Sequence, residues 1–387
     1  MRTGSVSLET GRRAGEMADT LVLRALRGNA KHLDLSGKKL RRVPKAVGRL
    51  FELNRLQLKN NLISDLPAEL QALNNLTELN LGNNSFEALP EVLKHLRQLR
   101  KLHLFDNKLE ALSPNVLECL ENLTFLNLNK NKLTTLPEEI CRLAQLKYLT
   151  VNNNQLESVP SKLCLLQHLC ELHLAHNKLK SLPHDIGYLT NLKKLSVPRN
   201  EIQVLPEELC VLRNLKVLDV AGNQLHIFPT KEMCKSKSAK HFPLHCQAVD
   251  KSCPRDQRNL LYLKLEEFYY EQNPLLEKDL ITSTQMNEVL TLQEITARYI
   301  LNGLSGNSLS EALEHYPEAR KILAHASLCA VCKRSFLNTW LECVSFVDLA
   351  KKISITSPVH VVPIRALLCS YKCFNESGHQ FYGIAIP

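Results

Sequence analysis

A chain of 387 residues, 44% of them hydrophobic, is long enough for several domains or one extended repeat array and can bury a sizeable core. Thirteen glycines and 17 prolines exclude a collagen-like or low-complexity chain, and the net charge of +10 is scattered along the sequence rather than gathered into a nucleic-acid-binding patch. No run approaches the roughly 18 apolar residues that cross a bilayer, and the opening MRTGSVSLETGRRAGE has no apolar stretch of the kind an export signal needs.

Residues 1–16 are polar and unpatterned and are expected to form a disordered extension. Over 17–29, Leu21, Leu23, Ala25 and Leu26 predict a short helix that closes the open end of a repeat array. From Ala30 onward one pattern recurs, seen most clearly in Leu123–Leu133, LTFLNLNKNKL, which reads L-x-x-L-x-L-x-x-N-x-L. The asparagine returns at Asn61, Asn84, Asn107, Asn131, Asn154, Asn177, Asn200 and Asn223, every 23 residues except for a single interval of 24 after Asn107. The extra residue falls near Ser113, where LSP replaces the usual LP. The first copy carries Lys38 at the asparagine position, as a terminal repeat can.

In each copy L-x-L is a short strand with alternating sides, its leucines inward. The asparagine side chain can bond backbone that no regular element satisfies. A proline and helically spaced apolar residues, such as Ile140, Leu143 and Leu146, fill the second half. The pattern resembles the leucine-rich repeat family, in its 23-residue intracellular form, across 30–230. The resemblance implies an α/β solenoid, a curved parallel sheet with short convex helices, and a binding role for its concave face.

After Asn223 the register breaks and returns at Leu265, Phe268, Tyr270, Asn273 and Leu275, with a surplus of 27 residues. The segment 231–262 therefore reads as a flexible insert, basic and without period, and 263–276 as the last repeat. Cys234, His241, His245, Cys246 and Cys253 of the insert fit no standard zinc spacing.

The solvent-facing strand positions are the expected partner site: Arg55, Gln57, Lys101, His103, Phe105, Phe125, Asn127, Tyr148, Thr150, Glu171, His173 and Lys194. Phe105, Phe125 and Tyr148 lie on three neighbouring repeats, and exposed aromatics rimmed by polar residues have the composition of a binding hot spot.

Residues 277–324 read as helical. Leu292, Ile295, Thr296, Tyr299 and Ile300 share one face of a helix, which Thr291 and Glu294 start as a capping box. Ser308 with Glu311 signals a second helix, and Pro317 starts a third. Such helices would serve as a cap on the array. The segment also resembles the BC-box, by which adaptor proteins insert a helix into elongin C. Thr291, Leu292, Thr296 and Ile300 occupy its defining positions, Thr296 departing from the usual cysteine, serine or alanine. Downstream, EHYPEARKIL resembles the cullin-binding box of von Hippel–Lindau-type receptors, with Tyr316 and Pro317 at its anchor.

The cysteine-rich remainder, 325–387, is expected to be a small α+β domain. With no export signal, its cysteines should be reduced thiols. Cys329-x-x-Cys332 and Cys369-x-x-x-Cys373 suggest one structural zinc with four thiolate ligands. Cys343 is a spare thiol, and Trp340–Val347 and Pro358–Leu368 supply strands.

No phosphate-cradling glycine loop, H-E-x-x-H or G-x-S-x-G occurs, so no enzymatic activity is expected. Two functions remain open: a substrate receptor of an elongin–cullin ubiquitin ligase, or an intracellular signalling scaffold for a small GTPase or phosphatase. Either would be cytoplasmic (the nucleus stays open), monomeric on its own, and bound to proteins rather than to nucleic acid or membrane.

Overall fold

The computed structural model describes residues 16–231, 258–259, 263, 265–275, 290–303, 316–323, 326–338, 341–349, 361–374, 376 and 378–383. The second helix expected at Ser308, Trp340 and the cysteines and histidines of the insert lie outside these residues. The chain divides into two units, one of residues 1–202 with 214–223, the other of residues 203–213 with 224–387.

The first unit opens with helix α1, residues 16–27. Its buried face is Ala18, Val22 and Ala25, while Leu23 points to solvent. Nine three-residue strands come after it: β1 His32–Asp34, β2 Arg55–Gln57, β3 Glu78–Asn80, β4 Lys101–His103, β5 Phe125–Asn127, β6 Tyr148–Thr150, β7 Glu171–His173, β8 Lys194–Ser196 and β9 Val217–Asp219. They pair in parallel and in sequence order, with equivalent residues opposite one another, as in Phe125 opposite Tyr148. The middle leucine of each strand is buried.

The recurring proline shapes the second half of each repeat. Its locked φ sets the residue before a one-turn 3-10 helix, as at Pro67 (φ −68°) before Ala68–Ala72 and Pro137 (φ −70°) before Glu138–Arg142. Its carbonyl accepts the first bond, from Leu70 at 3.1 Å or Ile140 at 3.1 Å. In the long repeat, Ser113 takes that place and Pro114 begins a short α-helix, α2 Pro114–Leu117, in which the Glu118 N–H reaches the Pro114 carbonyl at 3.0 Å. A change of helix type thus absorbs the 24th residue.

The asparagines form a ladder. Asn154 Oδ1 accepts the Leu133 N–H at 3.1 Å, and its Nδ2 donates to the carbonyls of Leu128 and Val151 at 3.0 and 3.2 Å. Val151 also receives Asn177 Nδ2 at 3.0 Å, so two asparagines share one carbonyl, whereas the Leu133 N–H has the Asn154 oxygen. The residue before each asparagine has a positive φ, 55° at Asn153 and at His176, the left-handed turn that aims the amide inward.

In the second unit the same signature returns. Strand β12, Glu267–Tyr269, precedes Asn273, whose Oδ1 accepts the Leu225 N–H at 3.0 Å across 48 residues, where Asn223 spans 21 to Ile202. The difference is the 27-residue surplus read from the sequence. At the base of the insert, β10 (Thr230–Lys231) and β11 (Arg258–Asn259) pair antiparallel. Helices α3 (Leu292–Gly303) and α4 (Pro317–Leu323) come next. A hairpin of β13 (Ser327–Leu328) and β14 (Ser335–Phe336) precedes β15 (Leu341–Asp348) and β16 (Val361–Leu368), which pair antiparallel along eight residues. Helix α5 (Tyr371–Phe374) and β17 (Tyr382–Gly383) complete it, β17 pairing with β15. Phe228 exchanges backbone bonds with Pro363 and Arg365 of β16 at 3.0 and 2.8 Å, and the Arg365 guanidinium bridges Glu207 and Glu342 at 3.3 and 3.0 Å.

Candidate functional site

The strand face divides into residues held by one another and residues that present rings and cations. Glu78 takes both Arg55 and Gln57, at 3.2 and 3.1 Å, and Glu171 bonds His173 at 3.1 Å. Asn127 Oδ1 accepts the Asn129 N–H at 3.0 Å. Asn129 Oδ1 accepts the Thr150 hydroxyl and the Asn152 N–H, the latter at 2.7 Å. These oxygens therefore secure strand ends, a use the repeat pattern alone does not show.

The aromatic side chains form a row. His103 and Phe125 have ring centres 4.9 Å apart, and Phe125 and Tyr148 6.3 Å. Burial holds the His103 imidazole below its usual range, with Glu78 opposing this and Lys101 adding to it. Phe105 packs on Gly82, where a Cβ would lie 2.2 Å from its ring. Any larger residue at 82 would displace Phe105. Lys101, opposite Phe125, is exposed; Lys194, opposite Glu171 and two strands from Tyr148, is half-buried. Tyr148 is 41% exposed, and Tyr148→Ala is expected to change stability by less than about 1 kcal/mol, measured as a urea midpoint, so a loss of binding in it would report recognition.

Helix α3 reverses one expectation. Its apolar face points outward: Leu292 is 80% exposed, Tyr299 77% and Ile295 50%, and Thr296 is also exposed, with Ile300 half-buried. The buried residues are Glu294 and Ala297. Thr291 Oγ1 accepts the Glu294 N–H at 3.2 Å, but the return bond of a capping box gives way to a different role for the carboxylate. Glu294 accepts N–H groups from Leu337 at 3.1 Å and from Asn338, and Arg298 Nε at 2.6 Å. Burial pushes this carboxyl up, and the three donors outweigh it and hold it below the usual range. Glu294 is buried because its backbone partners, Leu337 and Asn338, lie more than 40 residues away, beyond the reach of periodicity. Tyr316, just before α4, is exposed.

The four cysteines come together. Cys329 and Cys332 flank the turn between β13 and β14, where Lys333 adopts φ of 59°. Cys369 comes directly after β16, and Cys373 lies in α5. Their sulfurs all lie within 4.8 Å of one another, with Cys332–Cys369 at 3.5 Å and Cys369–Cys373 at 3.6 Å. These distances exceed the roughly 2.05 Å of a disulfide and approach the edge of about 3.8 Å in a tetrahedron with 2.3 Å metal–sulfur bonds. The Cys369 thiol donates to the Cys329 sulfur, to which the N–H groups of Cys369, Cys332 and Val331 also point; together they outweigh burial and hold the Cys329 thiol down at about 4. Burial pushes Cys332 up to about 11. Backbone N–H groups aimed at sulfur suit a thiolate ligand, so the cluster could hold a metal ion. Cys343, buried on β15 and pushed up to about 12 by burial, packs in the adjoining core instead.

The repeated strand, proline turn and asparagine ladder form a leucine-rich repeat fold, a kind of fold that typically serves protein–protein interaction. Leucine-rich repeat models match residues 52–109 and, as a leucine-rich repeat region, 107–221. The chain is similar to proteins named leucine-rich repeat-containing protein 69: 49% identical over 124 residues to that of Xenopus laevis and 42% over 124 residues to that of Homo sapiens. Each match covers 32% of this chain and 36% of the relative, so the chain spans about a third of the length of the curated relatives it matches. Among solved structures, a leucine-rich repeat protein of Leptospira interrogans aligns with a TM-score of 0.52 at 31% identity, covering 66% of this chain and 65% of its own. The ectodomain of an Arabidopsis thaliana membrane receptor kinase, in complex with Casparian strip integrity factor 2, aligns with a TM-score of 0.50 at 25% identity, covering 64% of this chain and 27% of its own. Among the described residues no helix is long and apolar enough to cross a membrane.

Proposed function

We propose that the protein is an interaction adaptor with two working surfaces. The strand face, through His103, Phe125, Tyr148 and neighbouring Lys101, holds a protein substrate. Helix α3 docks into a groove on elongin C, and the chain around Tyr316 and Pro317 meets a cullin, making the protein a substrate receptor of a ubiquitin ligase. One observation carries this reading: α3 keeps Leu292, Ile295 and Tyr299 in water while its opposite, polar side is tied down. A helix serving only to close a core would be turned the other way, and an outward apolar row with i, i+3, i+7 spacing is what helix-in-groove recognition uses. The four cysteines hold one structural zinc, which closes the small domain and leaves no open coordination position for catalysis.

Affinity purification coupled to mass spectrometry tests the adaptor reading. The Leu292→Ala, Ile300→Ala double variant is expected to lose elongin C and the cullin and to keep the substrate. The Phe125→Ala, Tyr148→Ala variant is expected to do the reverse. Elongin C retained by the helix variant would overturn the ligase reading. A partner bound in a nucleotide-dependent way through the strand face alone would support a signalling scaffold instead.

A further inference from the structure

Two side chains of α3, the buried Glu294 and the exposed Asn302, bond the backbone that follows Cys332 of the cysteine cluster. Asn302 Oδ1 accepts the Ser335 N–H at 2.7 Å, and its Nδ2 donates to the Ser335 carbonyl at 2.8 Å. Ser335 stands in β14, three residues after Cys332. The fully buried Glu294 carboxylate takes the next free N–H groups along the same stretch, those of Leu337 and Asn338. The hairpin is also held by Cys329, Ala330 and Phe336 in the core and by the Ala330 N–H on the Leu367 carbonyl at 2.9 Å, but its strands are two residues each, and so short a pair is marginal unaided. A buried carboxylate is tolerated only with its donors in place. If the hairpin opens, Glu294 loses the N–H groups of Leu337 and Asn338, and the tie between α3 and the hairpin weakens.

We propose that Glu294 and Asn302 are positioning residues for the metal site, and that metal held by Cys329, Cys332, Cys369 and Cys373 in turn fixes α3 with its Leu292 face outward. The inference rests on the four cysteines being a metal site. The coupling runs both ways by linkage: what docking of α3 adds to metal affinity, metal adds to docking of α3. Display of the apolar helix face then depends on metal, although no cysteine touches that face.

The test uses the full chain loaded with zinc. Zinc affinity is measured by competition with a chromophoric chelator, and hydrogen exchange of residues 292–303 is monitored with and without metal. Asn302→Ala and Glu294→Ala are expected to weaken zinc roughly 10- to 100-fold, as loss of outer ligand support does elsewhere. Glu294→Gln keeps one acceptor oxygen and should lose less. Stripping zinc should speed exchange in 292–303 and leave 123–133, within the repeats, unchanged. Zinc affinity unaltered in both alanine variants, together with helix exchange indifferent to metal, would overturn the coupling while leaving the metal site standing. A folded wild-type chain that binds no zinc would instead remove the reading of the cysteines on which the coupling rests.

Discussion

Asn154→Ala is expected to lower the unfolding free energy of the repeats by about 3 kcal/mol, the sum of one orphaned donor and the weakened sharing of its carbonyls. The Leu133 N–H is buried and bonds the Asn154 oxygen, so alanine leaves it without that acceptor. The Leu128 and Val151 carbonyls keep one asparagine each, Asn131 and Asn177, and lose the other. The donor therefore carries most of the cost. Repeat arrays transmit stability only between neighbours, so a break at this central position should also lower the cooperativity of urea unfolding. A change under about 0.5 kcal/mol, the range of ordinary surface substitutions, would mean that water replaces the amide and that the ladder is not what holds the turns.

Cys329→Ser, or removal of metal by a strong chelator, is expected to leave the repeats intact and unfold the cysteine-rich module. Structural zinc contributes on the order of 10 kcal/mol of apparent binding free energy in small domains that fold around it. The core here, built on Phe336, Cys343, Ala366, Leu367 and Leu368, is modest and continuous with Cys329 and Cys373 of the sulfur cluster. Circular dichroism and calorimetry should show loss of one transition, with one zinc per chain released, and the repeat transition unmoved. Cys343→Ser is the matching control. Its thiol sits in that core but outside the sulfur cluster, so the variant should keep zinc. Equal zinc content in wild type and Cys329→Ser would refute the assignment.

The two variants act on different physical devices, and those devices differ in how much of them the sequence displays. The ladder is legible because it is periodic: each asparagine repeats the same local job, and the surplus of 27 residues before Asn273 reappears as a bond to Leu225 across 48 residues rather than 21. The cysteine pairs are legible because close spacing forces their sulfurs together once one strand and one turn bring the pairs near. Helix α3 is legible only in part. Periodicity identifies Leu292, Ile295 and Tyr299 as one face, but which face turns inward depends on Leu337 and Asn338, distant in sequence, and on a carboxylate that pattern reading assigns to a cap. Helix α1 forms where Leu21, Leu23, Ala25 and Leu26 predict one, but its buried side is only partly that of the pattern, with Leu21 and Leu26 half-buried. Its buried residues are Ala18, Val22 and Ala25, and Leu23 is left outside. On the strand face the oxygens of Asn127 and Asn129 are committed to neighbouring N–H groups and the Thr150 hydroxyl, so the proposed recognition surface centres on the row of His103, Phe125 and Tyr148.

The outward face of α3 carries the functional account, and direct titration of the purified, zinc-loaded chain with purified elongin C tests it most simply. The account predicts saturable one-to-one binding that the Leu292→Ala, Ile300→Ala variant loses and the Phe125→Ala, Tyr148→Ala variant keeps. A folded, metal-loaded chain that does not bind, or binding that survives the helix double variant, would contradict it.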